Sequence, residues 1–306
     1  MAGSRRTRPR VMRPWEWSLP PRSVHLEVIS AAPATTTGRP PLLLVPGLGH
    51  GAWCYAERWL GAAADRGFEA HALSLRGHGG SGGHTSLGRT TARGYVHDLL
   101  QAITALPVPP VIISHFLGAL PVRQVLARYP ARAGVLVAPF PAGGLRASLA
   151  LGARRKPVAA ARAAVGSSLS LTADDLFTDL EPSQAEAYVS RIGRESPWAQ
   201  FAMAVPRRLE RISVPMLVVG AADDALLARS DLERAAYEVH APVRIVPGGH
   251  DVMLDGPWRE SLTTILDWVD ATCPPGSPAL PGAAFLPPLP DILPSHRAST
   301  ASSADA

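Results

Sequence analysis

Cysteine and lysine are scarce in this chain, and the acids avoid one end of it. Only Cys54 and Cys273 are present, far apart in sequence. Two such cysteines make no disulfide framework, no metal-ligand spacing and no C-x-x-C redox pair. A reduced, cytoplasmic setting is the expectation. Lys156 is the only lysine among 30 basic residues. Arginine in its place, with much Ala, Gly and Pro, points to a GC-rich bacterial genome and says nothing about chemistry. No apolar run reaches the roughly 18 to 20 residues that a membrane span needs, and no internal repeat is found. The first 13 residues hold Arg5, Arg6, Arg8, Arg10 and Arg13 and no acid. Those arginines equal the whole formal charge of +5. The remainder is near neutral, so no nucleic-acid groove is expected. No apolar h-region separates Arg5-Arg6 from Pro14-Trp15-Glu16-Trp17, which argues against a secretory or twin-arginine signal.

What is present reads as strands alternating with helices. At 306 residues the chain fits one large α/β domain or two smaller ones. Ser23 to Ser30 alternates like a half-exposed strand. Pro41 to Pro46 is a continuous apolar run, the mark of a strand covered on both faces. Phe68 to Leu75, Val111 to Ser114, Ala133 to Ala138, Val214 to Gly220 and Pro242 to Val246 are further candidate strands. Between them Trp53, Ala56, Leu60 and Ala63 share a helical face, as do Tyr95, Leu99, Ile103 and Leu106. Leu262, Ile265, Leu266 and Val269 form another. This order implies a mostly parallel sheet with helices on both faces. Residues 142–209 break the alternation and read as a helical insertion over the strand ends. Ser183 with Glu186 has capping-box spacing there, and Ser196-Pro197 looks like a helix start. The expected organisation is a basic arm (1–22), a core in two parts (23–141 and 210–272) around a helical cap (142–209), and a Pro-rich, disordered tail (273–306). The last 33 residues hold eight prolines. Pro287 to Pro290 fits P-x-x-P, a match expected by chance in such a tail.

Serine is missing where it would matter most. Pro110 to Ala119 reads as a buried strand, a sharp turn and a helix start, the frame of the nucleophile elbow G-x-S-x-G. Here the frame is Ser114-His115-Phe116-Leu117-Gly118. A benzyl group has no proton to lose and no lone pair for attack. Leu43 to Trp53 runs from a strand through glycines into a helix. It can aim backbone N–H groups at a developing oxyanion, or serve as a structural turn. Gly77 to Gly82 matches G-x-G-x-x-G. The nucleotide reading is set aside because no helix opens inside the motif. A strand ending at Gly220 leads to Asp223-Asp224, either a carboxylate for a site or a solvated turn. Asp224 is preferred over Asp223 because apolar residues resume at Ala225. Pro247-Gly248-Gly249 then presents His250.

Phe116, Asp224 and His250 stand in nucleophile, acid, base order. With Val45 to Tyr55, Leu75 to Gly82, Ser114 to Gly118 and Pro247 to Asp251, residues 41–272 resemble an α/β-hydrolase of the small esterase and lysophospholipase-like kind. Plant methylesterases and hydroxynitrile lyases are more distant by pattern. The resemblance implies the α/β-hydrolase fold: an eight-stranded, mostly parallel sheet and a helical cap. It makes His250 the general base, Asp224 its partner, and the backbone N–H groups of Leu48 and Leu117 the oxyanion hole. Two departures stand out. Pro46-Gly47 replaces the family's His-Gly pair, and Phe116 replaces its serine. Ser114 is a surrogate nucleophile only if it reaches the base; otherwise it is a small packing residue. The expected function is His-Asp general-base chemistry on a small apolar molecule such as an ester or related carbonyl compound, with no metal and no cofactor. The alternative is an inactive homologue that binds a small ligand or a partner.

Overall fold

A computed structural model of the chain describes residues 21–277 except 159, 160, 162–168, 170 and 209. The basic arm, apart from Pro21 and Arg22, and the Pro-rich tail beyond Ser277 lie outside the described residues. The strands are β1 (Val28–Ala31), β2 (Leu42–Val45), β3 (Ala70–Leu73), β4 (Val111–His115), β5 (Ala133–Val137), β6 (Met216–Ala221) and β7 (Val243–Val246). The helices before the insertion are α1 (Trp53–Ala56), α2 (Trp59–Asp65), α3 (Ala92–Thr104) and α4 (Ala119–Leu126). Between β5 and β6 come α5 (Arg146–Arg155), α6 (Ala173–Leu176), α7 (Pro182–Arg191) and α8 (Pro197–Ala204). The last two are α9 (Arg229–Glu238) and α10 (Trp258–Thr272).

The sheet runs β1-β3-β2-β4-β5-β6-β7. Only β1 is antiparallel to its neighbour; every other pairing is parallel. Parallel strands need helical crossovers on both faces, so the inner strands must be apolar throughout. β2, β4 and β5 are buried at every position. Side-chain alternation divides the interior in two. Leu43, Val45, Ile112, Leu136 and Val218 pack with α3, α4 and α9 on one face. Leu42, Leu44, Ile113, Val135 and Val219 pack with α2 and α10 on the other. This is the α/β-hydrolase fold, with the helices α5–α8 inserted between β5 and β6.

Four expectations need correction. The sheet has seven strands among the described residues, not eight. The Ser23 to Ser30 run joins it only from Val28. Upstream, Glu27 is drawn into the glycine loop instead: its carboxylate accepts from the Gly80 N–H and the Ser74 hydroxyl. The face expected from Trp53 to Ala63 is broken, because Arg58 leaves the helical region at φ −141°. The buried residues are Cys54, Tyr55, Trp59, Leu60 and Ala63, while Ala56 is exposed. Ser183 does not cap a helix, since α7 starts at Pro182 behind Glu181. The capping box lies instead at Thr172 and Asp175. Ser196 does cap α8, its hydroxyl accepting from the Ala199 N–H.

Candidate active site

β4 delivers the chain into a turn at Phe116, which holds φ +40°. A left-handed conformation strains any residue with a Cβ by about 1–2 kcal/mol. The turn continues through a short 3₁₀ segment, Phe116–Gly118, into α4. Close packing dictates the glycine that follows. A Cβ on Gly118 would lie 2.5 Å from the Pro46 carbonyl oxygen, and one on Gly47 would lie 2.6 Å from His115 Nδ1. The elbow bearing Leu117 therefore packs directly against the loop bearing Leu48. Both leucines are buried.

β6 and β7 bring the other two groups. The turn after β6 fixes Asp224, whose Oδ1 accepts from the Leu226 and Leu227 N–H groups at 2.9 and 2.8 Å. After β7, Gly248 takes φ +106° and turns the chain so that His250 points back. His250 Nδ1 lies 2.9 Å from both Asp224 carboxylate oxygens. Asp223 is exposed and contributes only its backbone N–H, to the Gly248 carbonyl. Burial works against the charged form of the His250 imidazole, but the Asp224 carboxylate outweighs it and raises the pKa above the ordinary histidine value. Burial also opposes the Asp224 charge, and His250 with the two N–H groups still lowers its pKa. His250 Nε2 is buried without a hydrogen-bond partner.

The Phe116 ring closes the site. Its centroid is 4.7 Å from that of His250, at an interplanar angle of 87°. Phe140 packs edge-on to it at 5.9 Å, and Ala199 and Met203 of α8 share the same apolar cluster. Ser114 sits two residues earlier, fully buried, on the sheet face of Ile112. Its Oγ has no hydrogen-bond partner, so it does not engage His250.

A second, buried layer escaped the sequence reading. Asp251 is completely inaccessible and has His50 Nε2 at 3.0 Å and His115 Nε2 at 3.7 Å. Burial opposes its charge, yet His50 and the neighbouring imidazoles hold its pKa down to about 2. His115 Nε2 donates to the His250 carbonyl at 3.1 Å. Burial, with His250 beside it, pushes the His115 pKa down to about 3. His115, His250 and Asp251 present donor atoms within 4.8 Å of one another, a spacing compatible with a metal ion. Their contacts already serve a structural purpose, however, locking the elbow to the histidine loop.

The insertion contributes too. Asp255, buried beside the histidine loop, accepts from Gly249, Thr178 and Asp179 N–H groups. Glu195 accepts from the Gly49 N–H at 3.2 Å, next to Leu48. It also accepts from the Tyr95 hydroxyl and lies 3.3 Å from His78 Nε2. The Val45 to Tyr55, Leu75 to Gly82, Ser114 to Gly118 and Pro247 to Asp251 strings contain His50, His78, His115 and Asp251 but gave them no role. Nothing in sequence marked Glu195, which lies far from its partners along the chain.

Residues 42–261 match the model of the alpha/beta hydrolase family. Solved structures share the fold. A monoacylglycerol lipase of Paleococcus ferrophilus is 20% identical at a TM-score of 0.58, covering 81% of this chain and 99% of its own. An enol-lactonase of Burkholderia xenovorans LB400 is 19% identical at 0.59, covering 80% and 96%. A thermophilic esterase of Thermogutta terrifontis is 19% identical at 0.60, covering 84% and 97%. No curated protein matches the sequence. No helix among the described residues is long and apolar enough to cross a membrane.

Proposed function

Because the chain belongs to the alpha/beta hydrolase family, yet carries phenylalanine at its elbow, we propose that it is an enzyme whose His250–Asp224 dyad works as a general base without a covalent intermediate. The observation that carries this reading is the dyad itself: Nδ1 is held at 2.9 Å by Asp224 while Nε2 is left without a partner. An Nδ1–H anchored on a carboxylate leaves the Nε2 lone pair as the base. In hydrolysis, Nε2 takes a proton from water as the water oxygen bonds to the carbonyl carbon. The charge gathers on the carbonyl oxygen, near the Leu48 and Leu117 N–H groups. The leaving alkoxide departs with the proton that Nε2 returns. In a lyase or cyclase, Nε2 takes the proton from a C–H or O–H group of the substrate instead.

The substrate class is a small apolar ester or related carbonyl compound. It fits the apolar surroundings of Phe116 and the chemistry named for the lipase, lactonase and esterase that share the fold. The setting is a bacterial cytoplasm, in keeping with two buried, unbridged cysteines. Turnover of a panel of p-nitrophenyl esters, enol esters and lactones by the parent and by His250→Ala tests the reading. General-base catalysis predicts a loss of about 10² to 10⁴-fold. Full turnover in His250→Ala would end it.

A second reading is supported by one observation, the ring that covers the base. With Phe116 only 6% exposed and His250 1%, the site is filled as a packed core is filled. A non-catalytic descendant that binds a small molecule would then leave the whole panel unturned in parent and variant alike.

A further inference from the structure

A cavity of about 220 Å³ lies beside the elbow helix, between α4, α8 and the chain leading to β6. One wall is apolar, with Ala119, Leu120, Phe140 and Ala202. Phe140 is also the ring that packs on Phe116, which in turn meets His250, so one aromatic pair links the cavity to the dyad. The other wall is cationic: Arg123, Arg207 and Arg208 line it, against a single acid, Glu210. Glu210 is already paired with Arg128, which lies outside the lining.

Two of these guanidinium groups are incompletely satisfied. Arg123 is held from behind, its Nη1 donating to Glu238 at 3.3 Å and its Nη2 to the Ala235 carbonyl at 3.0 Å. Its Nε is buried and has no partner. Arg207 is tied by its backbone N–H to the Ala142 carbonyl, and its Nε is likewise buried without a partner. Burial lowers the Arg207 pKa. The Arg123 charge is met by Glu238 and the Glu210 charge by Arg128, so Arg207 and Arg208 leave this wall with a net positive charge that suits an anion. Arginine forks are matched in shape and charge by carboxylate and phosphate oxygens.

We infer that this cavity is a binding site for a small amphipathic anion, its carboxylate or phosphate on Arg207 and Arg208 and its apolar chain along Leu120 and Phe140. The volume equals about seven water-sized groups, which suits a short acyl chain. The site does not depend on the dyad being catalytic.

The test is calorimetric titration of the full chain with hexanoate and hexyl phosphate, against hexanol and hexylammonium. Saturable binding of either anion, with none of hexanol or hexylammonium, is expected. Which anion binds tells a free acid from a phosphate ester. Arg207→Gln should weaken the bound anion by about ten- to a hundredfold, the worth of a hydrogen bond to a charged group. Ala202→Trp, which fills the cavity from its apolar wall and keeps all three arginines, should abolish binding, and His250→Ala should leave it unchanged. Hexanol binding as well as hexanoate, no binding of either anion, or affinity untouched by Arg207→Gln and Ala202→Trp would overturn the inference. Loss of binding in His250→Ala would place the anion at the dyad and overturn it equally.

Discussion

Replacing Phe116 by alanine and by glycine separates the ring from the turn that carries it. The ring is buried, 6% exposed, against His250 and Phe140. Removing such a ring costs about 3–5 kcal/mol, and that loss is common to both variants. Apart from the single Cβ, they differ in the backbone. Alanine keeps the strain of φ +40°, whereas glycine relieves about 1–2 kcal/mol of it. Against this, glycine gives up about 0.5–1 kcal/mol of chain entropy. The balance favours glycine by roughly 1 kcal/mol, the reverse of the order at an ordinary buried position. For a chain of this size that is about 2–4 °C in Tm. Differential scanning calorimetry of parent, Phe116→Gly and Phe116→Ala should therefore rank them in that order of falling Tm. Alanine equal to or above glycine would mean that the turn is not left-handed, and the elbow would be lost as a description of this site.

Other perturbations probe the charges. In Asp224→Asn the largest opponent of burial is gone, so the His250 pKa, above the ordinary value in the parent, should fall below about 6.5. NMR titration of the imidazole reads this directly, and an unchanged midpoint would refute the pairing. The same pair sets a stability window. The raised His250 pKa favours folding below the unfolded histidine value and loses that contribution as pH rises through the folded one. The lowered Asp224 pKa favours folding above the unfolded carboxylate value and loses it as pH falls through the folded one. Urea melts should accordingly show the difference between parent and Asp224→Asn largest between those limits, near pH 5, and shrinking on both sides. Asp251→Asn removes the carboxylate that faces His50 at 3.0 Å and His115 at 3.7 Å and should cost about 1–3 kcal/mol in urea denaturation. A neutral result would show that the layer beneath the elbow is not held by that carboxylate.

Much of the fold was legible because it is written locally. The Leu42–Val45 run is buried at every position, as an apolar strand with no polar alternation must be in a parallel sheet. Leu262, Ile265, Leu266 and Val269 all face the core from α10, as their spacing requires. The sequence placed a carboxylate and a histidine at successive strand ends, and the structure brings Asp224 and His250 into contact. Less was legible where distant residues decide. Glu27 lies outside the expected first strand, its carboxylate accepting from the Gly80 N–H and the Ser74 hydroxyl, both distant in sequence. The helical face at Trp53 breaks at Arg58 with no Pro or Gly to announce it. Glu195 meets Gly49 and Tyr95 only through tertiary packing, so no spacing rule could have paired them. The arginine-lined cavity is likewise assembled from three separated segments.

If, as we propose, a base and an oxyanion frame are aligned around this elbow, a hydroxyl placed on it should attack. Phe116→Ser tests that most directly, by p-nitrophenyl acetate hydrolysis and fluorophosphonate labelling mapped by mass spectrometry. Covalent labelling at position 116 and hydrolysis at least tenfold above the parent are predicted, both lost again when His250→Ala is added. A folded Phe116→Ser protein with neither labelling nor added hydrolysis would contradict it.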